Sequence, residues 1–433
     1  MDIRELYHHF RIHPYITTDS RKVIPGSLFF ALKGERFDGN RFAAQALERG
    51  ASLAVVSDPA MALNERYLLV DDTLKTLQDL ARYHRKQMDL PVIALTGTNG
   101  KTTTKELIVA VLSKKYRVTG TQGNLNNHIG VPLTILSAND ETEILVVEMG
   151  ANHPGEIAFL CSIADPTHGL VTNVGHAHLE GFGSFEKVVA TKTELYNHLM
   201  LRKGKVYYHA SDPHLAPRAR LIRNRLSYGV AGSDADVLFE PPEEGVTLTF
   251  TWHSPEGDRK VVSRMYGRYN FTNMMAAITV GTDLDVPPEE VVSAVETYVP
   301  ENMRSQVVHT PRGNIVILDA YNANPASMKA ALETFHDLPG KEKAVVLGDM
   351  LELGVFAKEE HKKIVKLLRE KGPFREVLLI GPRFREVCDE ASYHTFGDPV
   401  EAGQYLEKKR WQGMHVLLKG SRGMGLESLM DKL

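Results

Sequence analysis

Residues 92–104, VIALTGTNGKTTT, constrain this chain more than any other stretch. A short apolar run breaks at Gly97 and Gly100, and Lys101 and Thr102 follow where a helix should begin. Glycines at those positions let backbone N–H groups curl toward one anion, and a helix N-terminus adds partial positive charge. Gly97, Thr98, Asn99, Gly100 and Thr103 are thus candidate phosphate contacts. Lys101 would reach the terminal phosphates and Thr102 a magnesium ion. The loop is shorter than the GxxxxGK[ST] pattern, which asks for glycine where Leu95 stands. A ligand-free turn is the bland alternative, but strand, glycines, lysine and threonine in register favour nucleotide binding.

At 433 residues the chain exceeds what one core holds, since single cores stop growing near ~250–300 residues, and about three domains are expected. A formal net charge of -3 offers no basic field for nucleic acid, and no block of like charges forms a polybasic tail. Cys161 and Cys388 are too few and too far apart for a disulfide framework or zinc site, and read as buried thiols in a reducing compartment. The opening MDIRELYHHF lacks a basic region followed by an apolar stretch, and no run of about 18 apolar residues occurs. A cytoplasmic protein without membrane insertion is expected.

The fold class reads as α/β in three domains. Residues 1–88 form a small N-terminal α/β domain around SLFFAL, LAVVSD and YLLVDD, with a helical pattern at AAQALERG. Residues 89–300 form the central domain, whose nearly unbroken apolar runs VIALTG, EILVVEMG and GLVTNVG predict a mostly parallel sheet covered on both faces. Between Asp234 and Met265 the pattern alternates, predicting a hairpin or antiparallel edge. Residues 301–433 repeat strand and helix through NIVILDA, KAVVLGD, EVLLIGP and HVLLKGS, predicting a second, Rossmann-like sheet.

In open α/β sheets ligands bind beyond the carboxyl ends of the strands. Glu148 ends such a run, where an unpaired carboxylate is costly; magnesium, a salt bridge or a helix cap would satisfy it. Asn173, His176, His178 and Glu180 follow the next run. A lone histidine such as His178 is ordinarily packed or exposed, magnesium prefers oxygen, and nothing distinguishes His176. Lys192, in FGSFEKVVATKTEL, reads on pattern alone as a solvated helix lysine. The amide-rich TQGNLNNHIGVPLT, with Asn126 and Asn127, suits sugars and diphosphates or plain turns. Ser20 and Arg21 hold a phosphate or sit in a solvated turn. Asp319 opens DAYNANPASM and Lys419 opens KGSRGMG; both loops read equally as a ligand face or as ordinary turns. A cleft between the two larger domains would join them to the phosphate loop.

Taken together, TGTNGKTTTKE, NLNNHIGVPLT, VVEMGANHPGEI, TNVGHAHLEGFGS, GRYNFTNMMAA, ILDAYNANPASM, VLGDMLELG and LLKGSRGMGLE resemble the Mur ligases. The likeness runs from TTDSRKVIPGSLFFALKGERFDG to the last helix, and AHLEGFGS, DAYNANP and EMGANHPGEI narrow it to members that add a D-alanyl dipeptide.

This resemblance implies an ATP-dependent carbon–nitrogen ligase of cell-wall peptidoglycan synthesis. It would join D-alanyl-D-alanine to UDP-N-acetylmuramoyl-tripeptide through an acyl phosphate. The N-terminal domain would take the UDP-sugar peptide, the central one ATP, and the C-terminal one would close with the dipeptide. Lys101 and Thr102 match the family's phosphate and magnesium residues, Glu148 and His178 its metal ligands, and Lys192 the lysine it carbamylates, with two magnesium ions expected. Asn270 and Asn273 match positions near the adenine, Asp319 the acid at the ribose, and Arg304 an arginine that reaches the nucleotide after closure. Ser20 and Arg21 match the uridine diphosphate site, and Asn126 and Asn127 further substrate contacts. Asn322, Asn324, Ser421 and Arg422 match the dipeptide side, and His176 carries no role. A monomer is expected, and the tripeptide's third residue is not readable. The rivals are a sister ligase or folylpolyglutamate synthase, a nucleotide-switched binding protein and an inactive scaffold.

Overall fold

A computed structural model describes residues 1–35, 37–175, 182–243, 245–340 and 342–433. Three sheets organise it. The first is wholly parallel, in the order β1 (Ile16–Thr17), β2 (Leu28–Phe30), β3 (Leu53–Val56), β4 (Tyr67–Leu69). The expected runs became β2, β3 and β4, whereas β1 has two residues and no readable pattern. Helix Ile3–Ile12 opens the chain, capped by Asp2, and buries Leu6 and Phe10.

Helix Thr73–Gln87 starts at Asp72, whose side chain accepts from Lys75 N, and it buries Leu77, Leu80 and Ala81. It packs against helices Gly130–Leu136 and Glu156–Ala164, beyond the first sheet. One apolar cluster therefore runs without a break from Leu6 and Phe30 to Val92, Val147 and Tyr208.

The central sheet begins with β5 (Val92–Thr96), β6 (Val118–Gly120), β7 (Ile144–Glu148) and β8 (His168–Val171). It continues through β9 (Lys205–His209), β10 (Arg225–Val230), β11 (Val237–Phe239), β12 (Thr249–Ser254) and β13 (Gly257–Val262). The order is β6-β7-β5-β8-β9-β10-β11-β12-β13. Pairing is parallel as far as β11, and β12 and β13 form the antiparallel edge that the alternating pattern predicts. The chain crosses β5 in passing from β7 to β8, so the loop after β5 opens at a topological switch point.

The third sheet holds β14 (Gln306–His309), β15 (Ile315–Asp319), β16 (Lys343–Gly348), β17 (Glu376–Ile380), β18 (His394–Phe396) and β19 (His415–Lys419). Its order is β14-β15-β19-β16-β17-β18, parallel except for β14. The four apolar runs are its interior, and the two short edges escaped the pattern. Of the two thiols, Cys161 is buried as expected but Cys388 only half-buried. Among the described residues no helix is long and apolar enough to cross a membrane.

Candidate active site

Strand β5 is buried at every residue and delivers its loop to helix Lys101–Leu112. Gly100 caps that helix with φ +78°, a left-handed conformation, and a Cβ there would lie 2.6 Å from Asn273 Oδ1. A Cβ on Gly97 would lie 2.0 Å from Thr172 Oγ1. Glycine is thus required by shape at both positions. The segment after β8 clamps the loop: Thr98 N donates to Asn173 O at 3.0 Å, Asn99 N to Asn173 Oδ1 at 3.0 Å, and Thr172 Oγ1 to Asn99 O at 2.7 Å. Gly100→Ala is expected to weaken ATP binding about five- to thirtyfold, since the left-handed cost alone is roughly 1–2 kcal/mol. Calorimetric titration checks this, and unaltered affinity would remove the loop from the site.

Lys101 Nζ donates to Gly97 O at 2.9 Å and Thr98 O at 3.1 Å, folded back over the loop. Burial lowers its pKa, Glu148 opposes that fall, and Arg304 adds to it. Thr102 and Thr103 are buried beside it. Thr104 Oγ1 donates to Asn273 Oδ1 at 3.0 Å, Asn273 Nδ2 to Asn270 Oδ1 at 2.8 Å, and Asn270 Nδ2 to Tyr266 O at 2.7 Å. These ties fix the helix Tyr269–Asp283 against the loop.

Glu148 is 1% exposed at the end of β7. Its Oε1 accepts from Asn126 Nδ2 at 2.7 Å, while Oε2 is buried with no hydrogen-bond partner among the described residues. A buried carboxylate oxygen left unpaired is costly, and it fits a hard cation. Among the described residues no three His, Cys, Asp or Glu side chains gather as a metal cluster. His178, with His176 and Glu180, lies outside the described residues.

The solvated reading of Lys192 is overturned: it is 3% exposed. Helix Phe185–Lys192, capped by Ser184, turns its last residue inward, where Nζ donates to Ala151 O at 3.2 Å and lies 5.6 Å from the Phe182 ring centre. Desolvation, helped by the charge of Lys101, pushes its pKa down to about 7. The folded chain therefore binds fewer protons than the unfolded one between about pH 7 and the free-lysine value of 10.5. Stability should rise with pH across that window, because the burial penalty is full below the folded pKa and gone above the unfolded one. Lys192→Met should flatten this rise in urea titrations of metal-free, CO2-free protein. An unchanged slope would mark the amine as ordinary.

Across the cleft, Lys419 Nζ donates to Asp319 Oδ2 at 2.6 Å and to Asn322 O at 3.4 Å. The Arg304 guanidinium lies 3.8 Å from the Tyr321 ring centre, and Arg422 lies 5.1 Å from it. Ser421 Oγ accepts from Leu351 N at 3.0 Å. Asn324 caps helix Pro325–Asp337, and its Nδ2 donates to Asn99 Oδ1 at 2.8 Å, tying the third sheet to the phosphate loop.

One cavity of about 630 Å³ gathers these groups. Gly97 to Thr103, Asn126, Glu148, Lys192, Asn270 and Asn273 line one side; Arg304, Asp319, Asn322, Asn324, Ser421 and Arg422 line the other. Asn127 faces an adjoining cavity of about 300 Å³. Its Oδ1 accepts from Ile129 N and Gly130 N, starting the helix Gly130–Leu136. Ser20 and Arg21 stand apart at the first sheet: Ser20 Oγ donates to Gln45 Oε1 at 3.1 Å, and Arg21 pairs with Asp19. Sequence reasoning missed Tyr321, Tyr269 and Phe182, aromatics that line the cavity without periodic signal.

A phosphate loop facing a second α/β sheet across a polar cavity defines a three-domain nucleotide-binding enzyme. The chain belongs to the Mur ligase family. The Mur ligase family catalytic domain matches residues 12–85, the Mur ligase middle domain 95–281, and the Mur ligase glutamate ligase domain 303–422. The UDP-N-acetylmuramoyl-tripeptide--D-alanyl-D-alanine ligase of Bacillus subtilis is 37% identical, over 96% of this chain and 92% of that one. Its Escherichia coli counterpart is 34% identical, over 96% and 93%. Among solved structures, MurF from Acinetobacter baumannii superposes with a TM-score of 0.85 at 33% identity, over 97% of this chain and 93% of its own. MurF ligase from Thermotoga maritima in complex with ADP gives 0.84 at 29% identity, over 97% of each. The three-domain α/β fold is that of these ligases.

Proposed function

We infer that this chain is the ATP-dependent ligase that joins D-alanyl-D-alanine to UDP-N-acetylmuramoyl-tripeptide, forming the pentapeptide precursor of peptidoglycan. The observation that carries this reading is the single cavity in which the phosphate loop, Glu148 and Lys192 face the strand ends of the third sheet. An oxygen of the tripeptide carboxylate attacks the γ-phosphorus of ATP, and the bond to ADP breaks. The dipeptide amine then attacks the acyl carbon, loses a proton, and phosphate departs as the amide forms.

In this reading the chain mainly positions groups and neutralises charge. Lys101 leaves the Gly97 and Thr98 carbonyls to meet the transferring phosphoryl group. Thr102, Glu148 and His178 would hold magnesium, for which the unpaired Glu148 oxygen is the supporting observation. Bound magnesium supplies charge neutralisation on the phosphates. A lysine with a pKa near 7 keeps a large neutral fraction, and a neutral amine adds CO2 to give a carbamate and a proton. Carbamylated Lys192 would then be anionic and could hold a second magnesium ion. Asn270 and Asn273 are assigned to the adenine side, Asp319 and Arg304 to the nucleotide, and Asn322, Asn324, Ser421 and Arg422 to the dipeptide. Asn126 and Asn127, with Ser20 and Arg21, are assigned to the UDP-sugar peptide.

Domain limits at 88/89 and 300/301 are supported by the sheets, which fall at β1–β4, β5–β13 and β14–β19. We also place the protein in the cytoplasm as a monomer. The test is phosphate release from ATP with each substrate omitted in turn and the product weighed by mass spectrometry. Release requiring both substrates, with the mass of the joined pentapeptide, is expected. ATP binding without product would favour a switch or scaffold.

A further inference from the structure

Residues 298–305 carry the chain from helix Pro288–Thr297 to strand β14, and both sides grip them. On the central side, the Glu106 carboxylate accepts from the Tyr298 hydroxyl at 2.6 Å and from Asn302 Nδ2 at 2.8 Å. Tyr269 and Ser305 share a hydroxyl–hydroxyl hydrogen bond of 2.7 Å. On the C-terminal side, Ser305 N donates to Asp319 Oδ1 at 3.3 Å, and Tyr321 N donates to Met303 O at 3.2 Å. Between the grips the backbone is strained. Met303 has φ +52° and Ser305 φ +54°, a region that residues with side chains seldom occupy.

Arg304 sits between these two residues. Its guanidinium stacks on Tyr321, and its Nε is buried with no hydrogen-bond partner among the described residues. Paired strain of this kind persists only where the surroundings over-determine it. An unpaired buried donor beside the nucleotide cavity implies a partner that arrives with ligand. Glu106 belongs to the helix that the phosphate loop opens, so its grip links the loop's own scaffold to the strap bearing Arg304.

We propose that Glu106 is a positioning residue: through Tyr298 and Asn302 it fixes the strap 298–305 and thereby aims Arg304 at the bound nucleotide. This rests on the assignment of the cavity to ATP. Its test is a double-mutant cycle on equilibrium ATP binding, using Glu106→Ala, Arg304→Ala and the pair, with turnover measured alongside. Glu106→Ala is expected to weaken ATP binding about five- to tenfold in the native background and by less than about twofold in the Arg304→Ala background. Tyr298→Phe removes only the hydroxyl, should show a part of the same coupling, and carries the cycle should Glu106→Ala fail to fold. Losses that add in both backgrounds, or native ATP affinity in the Glu106 and Tyr298 variants, would overturn the proposal. A merely structural carboxylate would lower thermal stability without coupling to Arg304. The binding cycle needs neither tripeptide nor dipeptide, so a wild type that binds ATP but forms no amide would fail the ligase reading and leave this one standing.

Discussion

Lys101→Ala is expected to lower substrate-dependent phosphate release by about 10²- to 10³-fold or more, the cost of removing a preorganised charge from a phosphoryl-transfer site. The loss should lie in kcat rather than in folding. Among the described residues the native Nζ bonds only to the Gly97 and Thr98 carbonyls, and the clamp from Thr172 and Asn173 keeps the loop in place without it. Single-turnover measurement with saturating ATP separates the two, because a folding defect would lower the active fraction and leave the rate constant unchanged. A near-normal rate constant would sink the assignment of this loop to the transferring phosphate.

Lys192→Ala should be nearly as damaging, about 10²-fold or more, by removing both the buried amine and the carbamate it is proposed to carry. Short carboxylic acids such as acetate or propionate should restore part of the rate. The truncated side chain leaves room next to Ala151 and Phe182, and the added carboxylate would replace the missing anion. The same acids should do nothing for Lys101→Ala, where a cation is missing. Rescue of both variants, or inhibition of Lys192→Ala by these acids, would count against an anionic role. Depleting CO2 from the wild type offers a parallel measurement, with lost activity returning on addition of bicarbonate.

The interior strands were legible because parallel strands covered on both faces leave unbroken apolar runs, as in Val92–Thr96 and Lys343–Gly348. The edge strands β1 and β18 were not: they have two and three residues, too few to set a period. Gly97 and Gly100 were readable because a loop that wraps an anion has one local solution. Lys192 was not, since its burial depends on Ala151 and Phe182, which lie elsewhere in the chain, and helical spacing carries no record of them. Glu148 lay between these cases, with the strand end visible and the unpaired oxygen not. The amide-rich loops stayed ambiguous for a related reason. Asn127 accepts from Ile129 N and Gly130 N in the turn before a helix and Asn324 caps one, as turn chemistry allows, yet Asn324 also reaches Asn99 across the cleft. Family resemblance, rather than residue physics, supplied the roles of Asn270, Arg304 and Asp319.

The unbroken apolar cluster from Leu6 to Tyr208 has a bearing on how the molecule can articulate. Swinging the first sheet away from the phosphate loop would prise Leu77 and Leu80 from their neighbours and wet that interface. The third sheet meets the central one through a narrower apolar contact, Tyr266 and Val246 on its core, together with Asn324 on Asn99 and the polar grips on the strap. Of the two joints, the second has less apolar surface to wet and is the one expected to rotate. Sheets one and two should travel together as a single rigid jaw, and the strokes that admit and discharge substrates should be counted at residues 298–305.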